Sequence, residues 1–361
     1  MANTSGLHIF ADSGVPTDTA DHTTLVILHG STIHSGNFTR LLPLGKARHA
    51  RIVLVNRRDY PGAVPYTESE QLLLSDAHSD DEVIKSNLAL FMKQRAQELL
   101  GFLVELVQAG GVTPAEPIRN KGGIVVAGWS LGQAWMTALL APASSSPASS
   151  RLREYIRRVV LYDPPSFLFG YPRPSDPYDP FLQSAAEYGD PQKILDWVSG
   201  YFDHGPTVDT LVRRIPSTSP TPTLRTIPLE ELPRMVHPPP GQDGGSDHLL
   251  VVNGHRVGFF GGFWQDALRV SPESTEDASE EWRDVEVRLV YCDRSTWECV
   301  HAAWHTEIEQ EEAQKTGLPI RKLFLTRIRG GNHFVHWDYP EETLVSMLDE
   351  EAVVTVGSRL A

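Results

Sequence analysis

The sequence predicts an α/β protein: a mainly parallel sheet with helices on both faces and one large insertion before a strand at about 285–291. Three observations lead there. Short β-branched runs alternate with stretches of helical period, the pattern of parallel strands joined by crossover helices. One such run passes through Gly128-Trp129-Ser130-Leu131-Gly132 directly into a helix, a very tight strand-to-helix turn. The alternation then stops from about Pro165 to Asp284 and resumes afterwards.

Taken in order, strands are expected at Thr24 to Leu28, Arg51 to Val55, Gly123 to Ala127, Val159 to Tyr162, Val285 to Tyr291 and Leu323 to Ile328. A long helix should start near Ser79, where Ser79-Asp80-Asp81-Glu82 has capping-box spacing. It continues through Val83, Ile84, Leu88, Phe91, Leu99, Leu103 and Leu106 on a helical period. Gln133 to Leu140 reads as a buried helix that stops near Pro142, and Ala143 to Ser150 as a low-complexity surface loop. No internal repeat is present. The interruption is rich in proline, with helical pieces near Gln192 to Tyr201 and Glu230 to Met235. A structureless loop of that length is improbable.

Composition limits the function classes. A chain of 361 residues can bury one large core, or a core plus an insertion. Its 32 basic and 46 acidic side chains give a net charge of −14, which argues against nucleic acid or an anionic membrane as partner. Acidic residues such as Glu273 to Glu281 fall on expected solvent segments. No apolar run approaches the length of a membrane span, and Met1 to His8 lacks the basic and apolar regions of a signal peptide. Two cysteines, Cys292 and Cys299, exclude a disulfide scaffold, so a cytoplasmic location is expected. The terminal Ser358-Arg359-Leu360 is peroxisome-like but is followed by Ala361, and such a signal must be terminal.

Chemistry concentrates in three segments. Gly123-Ile124-Val125-Val126-Ala127 leads into Gly128-Trp129-Ser130-Leu131-Gly132, where a G-x-S-x-G turn exposes the serine hydroxyl at a helix N-terminus. Leu25-Val26-Ile27-Leu28-His29-Gly30-Ser31 is a strand running into His-Gly. Gly330-Gly331-Asn332-His333-Phe334-Val335-His336-Trp337-Asp338-Tyr339-Pro340 lies near the C-terminus. In this order the three resemble the oxyanion loop, nucleophile and late histidine of α/β hydrolases. Val55-Asn56-Arg57-Arg58-Asp59-Tyr60-Pro61-Gly62 is similar to that family's strand and loop after the first motif. The resemblance covers nearly all the chain outside the interruption.

The resemblance implies Ser130 as nucleophile and His333 as its base, with His336 the competing histidine. It implies the backbone amides of Ser31 and Leu131 as oxyanion donors; the Ser31 or Thr32 hydroxyl could add a third. It also makes the segment 165–280 a cap on a core of residues 1–164 and 281–361. The aromatics Phe167, Phe169, Tyr171, Trp197, Tyr201, Phe202, Phe259, Phe260, Phe263 and Trp264 could line the cap's inner face, or simply form its own core. The acid departs from the family pattern. Ser295 stands where an Asp is usual after the strand ending near Tyr291, with Asp293 two residues early. The other family position, after the preceding strand, is Asp163. Asp163 is the expected acid, Asp293 the alternative, and Glu298 or no acid the remaining options.

Two further signals are weak. His301-Ala302-Ala303-Trp304-His305 spaces two histidines for zinc without the accompanying Glu, so a solvated helix face is expected and no metal. Gly241 to Gly245 lacks the Lys of a phosphate loop and reads as flexible surface. The expected function is a cofactor-independent serine hydrolase acting on a carboxylic ester or lactone of a small, fairly apolar molecule. A lyase or cyclase on the same fold, and a binding protein with a vestigial triad, are the alternatives. The sequence leaves the oligomeric state undetermined.

Overall fold

A computed structural model describes residues 5–75, 80–141, 147–180, 191–269, 282 and 285–357. The strands are β1 (His8–Asp12), β2 (Thr23–Leu28), β3 (Ala50–Asn56), β4 (Ala115–Glu116), β5 (Lys121–Gly122), β6 (Ile124–Trp129), β7 (Ile156–Tyr162), β8 (Glu286–Cys292), β9 (Leu323–Arg329) and β10 (Val353–Thr355). Apart from the small β4–β5 ribbon, they form one eight-stranded sheet in the order β1-β3-β2-β6-β7-β8-β9-β10. Within it β1 is antiparallel to β3, and every other neighbouring pair is parallel.

The main helices are α1 (Glu68–Ser75), α2 (Asp81–Gln108), α3 (Gln133–Leu140), α4 (Pro147–Leu152), α5 (Pro191–Val198), α6 (Thr223–Thr226), α7 (Ser246–Arg256), α8 (Phe259–Leu268), α9 (Trp297–Thr316), α10 (Val335–Asp338) and α11 (Pro340–Leu348). Strands β2, β6 and β7 are buried at every position, as strands covered on both faces must be. Alternate residues enter different cores. Val26, Leu28, Val126 and Leu161 pack with Leu88, Leu99 and Trp135 of α2 and α3. Leu25, Ile27, Val125 and Val160 pack with Phe38, Trp337, Leu344 and Met347 on the other face. Each such aliphatic side chain contributes about 1.5–3 kcal/mol of burial.

Strand β7 starts earlier than expected because Arg157 and Arg158 are buried within it. Arg158 pairs with Glu286 at 2.7 Å and donates to the carbonyls of Met347 and Leu348. Arg288 donates to the Ser346 carbonyl in the same way, so two strand arginines satisfy the C-terminal end of α11. A charged pair at a strand start reads as loop until those carbonyls are known. Strands β1 and β10 were not expected either. They are short edge strands with mixed burial, too brief for alternation to show.

Helix α2 begins at Asp81. Ser79 lies outside the described residues, and Asp80 caps the helix by accepting from the Glu82 amide at 3.0 Å. Val83, expected on the buried stripe, is 46% exposed. Pro142 and residues 143–146 also lie outside the described residues. From Pro147 the expected loop is instead α4, with proline at a first-turn position that suits it.

Between β7 and β8 the chain departs most from its sequence reading. The helical piece near Gln192 is α5, but the one near Glu230 is a single 3₁₀ turn, Leu232–Arg234, around Pro233. The helices α7 and α8 were not expected. They do not build a core of their own: Leu250, Phe260 and Trp264 join the cluster that holds Trp135 and Leu139 of α3. Gly170, at φ +69°, makes this packing possible, since a Cβ there would meet Gly261 Cα at 2.3 Å. Glu273 to Glu281 and the terminal residues 358–361 lie outside the described residues.

Candidate active site

Ser130 follows β6 and opens the single turn Ser130–Gly132 that leads into α3. Its φ is +53°, a left-handed conformation that costs a non-glycine residue of order 1 kcal/mol or more. The flanking glycines make the turn possible. A Cβ on Gly128 would meet the Gly132 carbonyl oxygen at 2.3 Å, and one on Gly132 would meet the His29 carbonyl oxygen at 2.7 Å. Gly30 brings the β2 loop against the serine, since its Cβ would sit 2.9 Å from Ser130 Cβ and 3.3 Å from Oγ.

His333 lies in the loop after β9, 4% exposed, with the Trp129 indole stacked on its ring at 4.7 Å. Trp129 Nε1 donates to the His333 carbonyl at 3.1 Å, which fixes the loop to the residue before the serine. Asp163 stands one residue beyond β7 at φ +47°, wholly buried. His333 Nδ1 donates to Asp163 Oδ2 at 2.6 Å. The Ser295 hydroxyl donates to the same oxygen at 2.6 Å, and the Cys292 amide donates to Oδ1 at 2.8 Å. Ser295 thus stands where the sequence reading places the usual acid, and it bonds Asp163. That role was not read from the sequence.

The loop after β2 is held by a buried network that was also not read. Arg57 donates to the His29 and Gly30 carbonyls at 3.1 and 2.7 Å, and forms a two-pronged pair with Asp247 of α7 at 2.8 Å on each prong. Tyr60 donates to Asp247 at 2.6 Å and accepts from the Thr32 amide at 2.7 Å. Burial alone would lower the Arg57 pKa, but the Asp247 carboxylate raises it above the usual arginine value. The signal was present in Arg57 and Tyr60 of the quoted loop; their partner, far along the chain, was not. Burial holds His29 neutral; Nδ1 donates to the Gly30 carbonyl and Nε2 accepts from the Arg57 amide.

The sequence profile described as "Alpha/beta hydrolase family" matches residues 25–346. The chain belongs to the α/β hydrolase family. Solved structures similar to it include a bromoperoxidase from Bacillus anthracis, with 13% identity over 91% of this chain and 93% of that one, at a TM-score of 0.41. A peroxisomal alpha-beta-hydrolase from Saccharomyces cerevisiae has 14% identity over 94% and 78%, at 0.43. An epoxide hydrolase from Vigna radiata has 14% identity over 93% and 91%, at 0.44. No curated protein matches the chain.

The protein has a cavity of about 130 Å³ lined by Ser31, Ser130, Leu131 and His333 from the sheet side. Ile194, Trp197, Val198 and Val251 of the inserted segment close it from the other. Of the ten aromatics that could line a cap or form its core, Phe167 and Trp197 reach this cavity. Phe169, Phe259, Phe260 and Trp264 are core residues instead, and Phe202 packs with Trp297 and Val300.

His336 and Asp293 lie elsewhere. His336 is fully buried between Phe38 and Trp129, bonded to Tyr162 at 3.0 Å and to Asn37, and burial holds its pKa well below the usual histidine value. Asp293 pairs with Arg327 at 2.7 Å and accepts from the Gly330 amide, so it shapes the turn before His333. His301 is 1% exposed rather than solvated. It packs against Trp297 and His305, and burial lowers its pKa to about 4. The face reads as solvated in sequence because α9 carries many charges, but its first turns lie under the inserted segment.

Asp163, Cys299 and His333 bring three donor atoms within 4.8 Å of one another. Burial, and then the Asp163 charge, push the Cys299 thiol well above its usual pKa, and it donates to the Asp163 carbonyl. A protonated thiol beside a carboxylate oxygen already holding two donors makes this a hydrogen-bonded acid–histidine pair, not a metal cradle.

Proposed function

We propose that the protein is a serine hydrolase that cleaves a carboxylic ester or lactone of a small, fairly apolar molecule through an acyl-enzyme on Ser130. The observation that carries this reading is the Asp163–His333 contact, with His333 lining the same cavity as a serine held at positive φ. Asp163 would fix Nδ1 as the donor and leave His333 Nε2 free to take the Ser130 proton as Oγ attacks the ester carbonyl. The imidazolium formed would then return that proton to the departing alkoxide. Ser31 and Leu131 would supply amides to the oxyanion, each worth about 3 kcal/mol in the transition state. The small, largely apolar cavity supports an uncharged organic acyl or alcohol group.

In this reading the part of the segment 165–280 that carries Phe167, Ile194 and Trp197 is the cap, and core 1–164 and 281–361 carries the chemistry. The test is labelling with a fluorophosphonate and mapping of the adduct. Ser130 is the expected site, and Ser130→Ala should remove both labelling and ester turnover. Full turnover by that variant would exclude an acyl-enzyme.

A further inference from the structure

Glu298 stands in the first turn of α9, 5% exposed, and lines the same cavity as Ser130 and His333. Its Oε1 has no hydrogen-bond partner among the described residues. The Arg173 guanidinium lies 3.8 Å from Glu298 and 3.9 Å from Asp179, beyond hydrogen-bond length to either. One cation therefore stands between two buried carboxyl groups. Trp297 Nε1, donating to the Tyr178 carbonyl at 2.7 Å, holds the Asp179 segment on α9.

We propose that Glu298, backed by Asp179 and Arg173, is a substrate subsite that donates a hydrogen bond to an uncharged oxygen of the acyl or alcohol group, such as a ketone or ether. This rests on the serine-hydrolase reading. Two buried carboxyl groups that feel each other's charge disfavour ionising together, so one of them keeps its proton. Burial and the Asp179 charge place that proton on Glu298. A proton carried on the buried, unpartnered Oε1 lacks an acceptor among the described residues, and a ligand oxygen removes that penalty. Arg173 already supplies the positive charge of this cluster, so an uncharged oxygen and not a second cation is the group that suits Glu298.

The experiment compares kcat/KM for p-nitrophenyl esters of matched chain length: plain alkyl, keto at successive positions, and ammonium-bearing. The native protein should prefer at least one keto ester over its alkyl match by roughly tenfold or more. Glu298→Gln, which keeps a donor, should retain most of that preference, and Glu298→Leu should abolish it. An unchanged ratio in Glu298→Leu overturns the proposal, as does a preference for the ammonium ester that Glu298→Gln removes. If Ser130 labels normally but no ester pair is distinguished, the subsite alone fails. If neither labelling nor turnover occurs, the serine-hydrolase reading fails with it.

Discussion

At the scale of single residues, the acid is where the chemistry can be tested most sharply. Asp163→Asn keeps the shape but lets His333 adopt the wrong tautomer, and should lower kcat by about 10⁴. Ser295→Ala removes one of two donors from the same oxygen while leaving the carboxylate. It should cost far less, about tenfold, as expected for a lost hydrogen bond of 1–1.5 kcal/mol. Equal losses in the two variants would show that the Ser295 bond is as necessary to the orientation of the ring as the carboxylate itself. His333→Ala should lower kcat by several orders of magnitude. His336→Ala, by emptying a fully buried site against Phe38 and Trp129, should act on thermal unfolding first. The Asp163–His333 pairing was legible because Ser295 left no charge at the usual acid position. The Ser295 hydroxyl, the Arg57 network and the Glu298 pair were not legible, since each depends on partners brought together only by the fold.

At the scale of elements, Asp247 ties α7 to the loop that carries Ser31. Replacing it with alanine leaves Arg57 buried without its counter-ion and Tyr60 without its acceptor. Such a change typically costs about 3–5 kcal/mol, so Asp247→Ala should unfold at markedly lower denaturant. A milder variant, Tyr60→Phe, should lower kcat while leaving KM nearly unchanged, because it frees the Thr32 amide beside the proposed oxyanion donor. A purely structural role would lower the unfolding midpoint without that kinetic split. Phe167→Ala and Trp197→Ala should shift kcat/KM between acyl groups by about 1–3 kcal/mol with Ser130 labelling intact. The central strands β2 and β6, and β7 from Val159 onward, were readable from apolar runs alone, because both their faces are buried. Helices α7 and α8 were not, since Gly254, Gly258, Gly261 and Gly262 weaken the helical signal. Gly254 is there for contact: a Cβ at that position would meet the Phe260 ring at 2.5 Å.

At the scale of the molecule, the fold buries histidines that must stay neutral, and this sets its acid stability. His29 and His336 are wholly buried, with pKa values held well below 6.5, and His34 and His301 are lowered to about 4 by burial. The unfolded chain binds these protons near pH 6.5, whereas the folded chain does not. Stability from these groups is therefore fully present above pH 6.5 and is lost as pH falls toward 4. Glu98 and Glu298 oppose the trend, because their raised pKa values make the folded state the better proton acceptor above the usual carboxylate value. Burial lowers the pKa of His204, His255 and His305 as well. Among the described residues, seven histidines against two carboxyls should leave the histidines in control, so Tm should fall by several degrees between pH 7 and pH 5. His34→Asn keeps a side-chain acceptor for the Gly36 amide and removes one titrating group, so it should flatten that slope. A Tm that is level or rises on acidification to pH 5 would show that relief of the −14 net charge, and not histidine burial, governs the protein in this range.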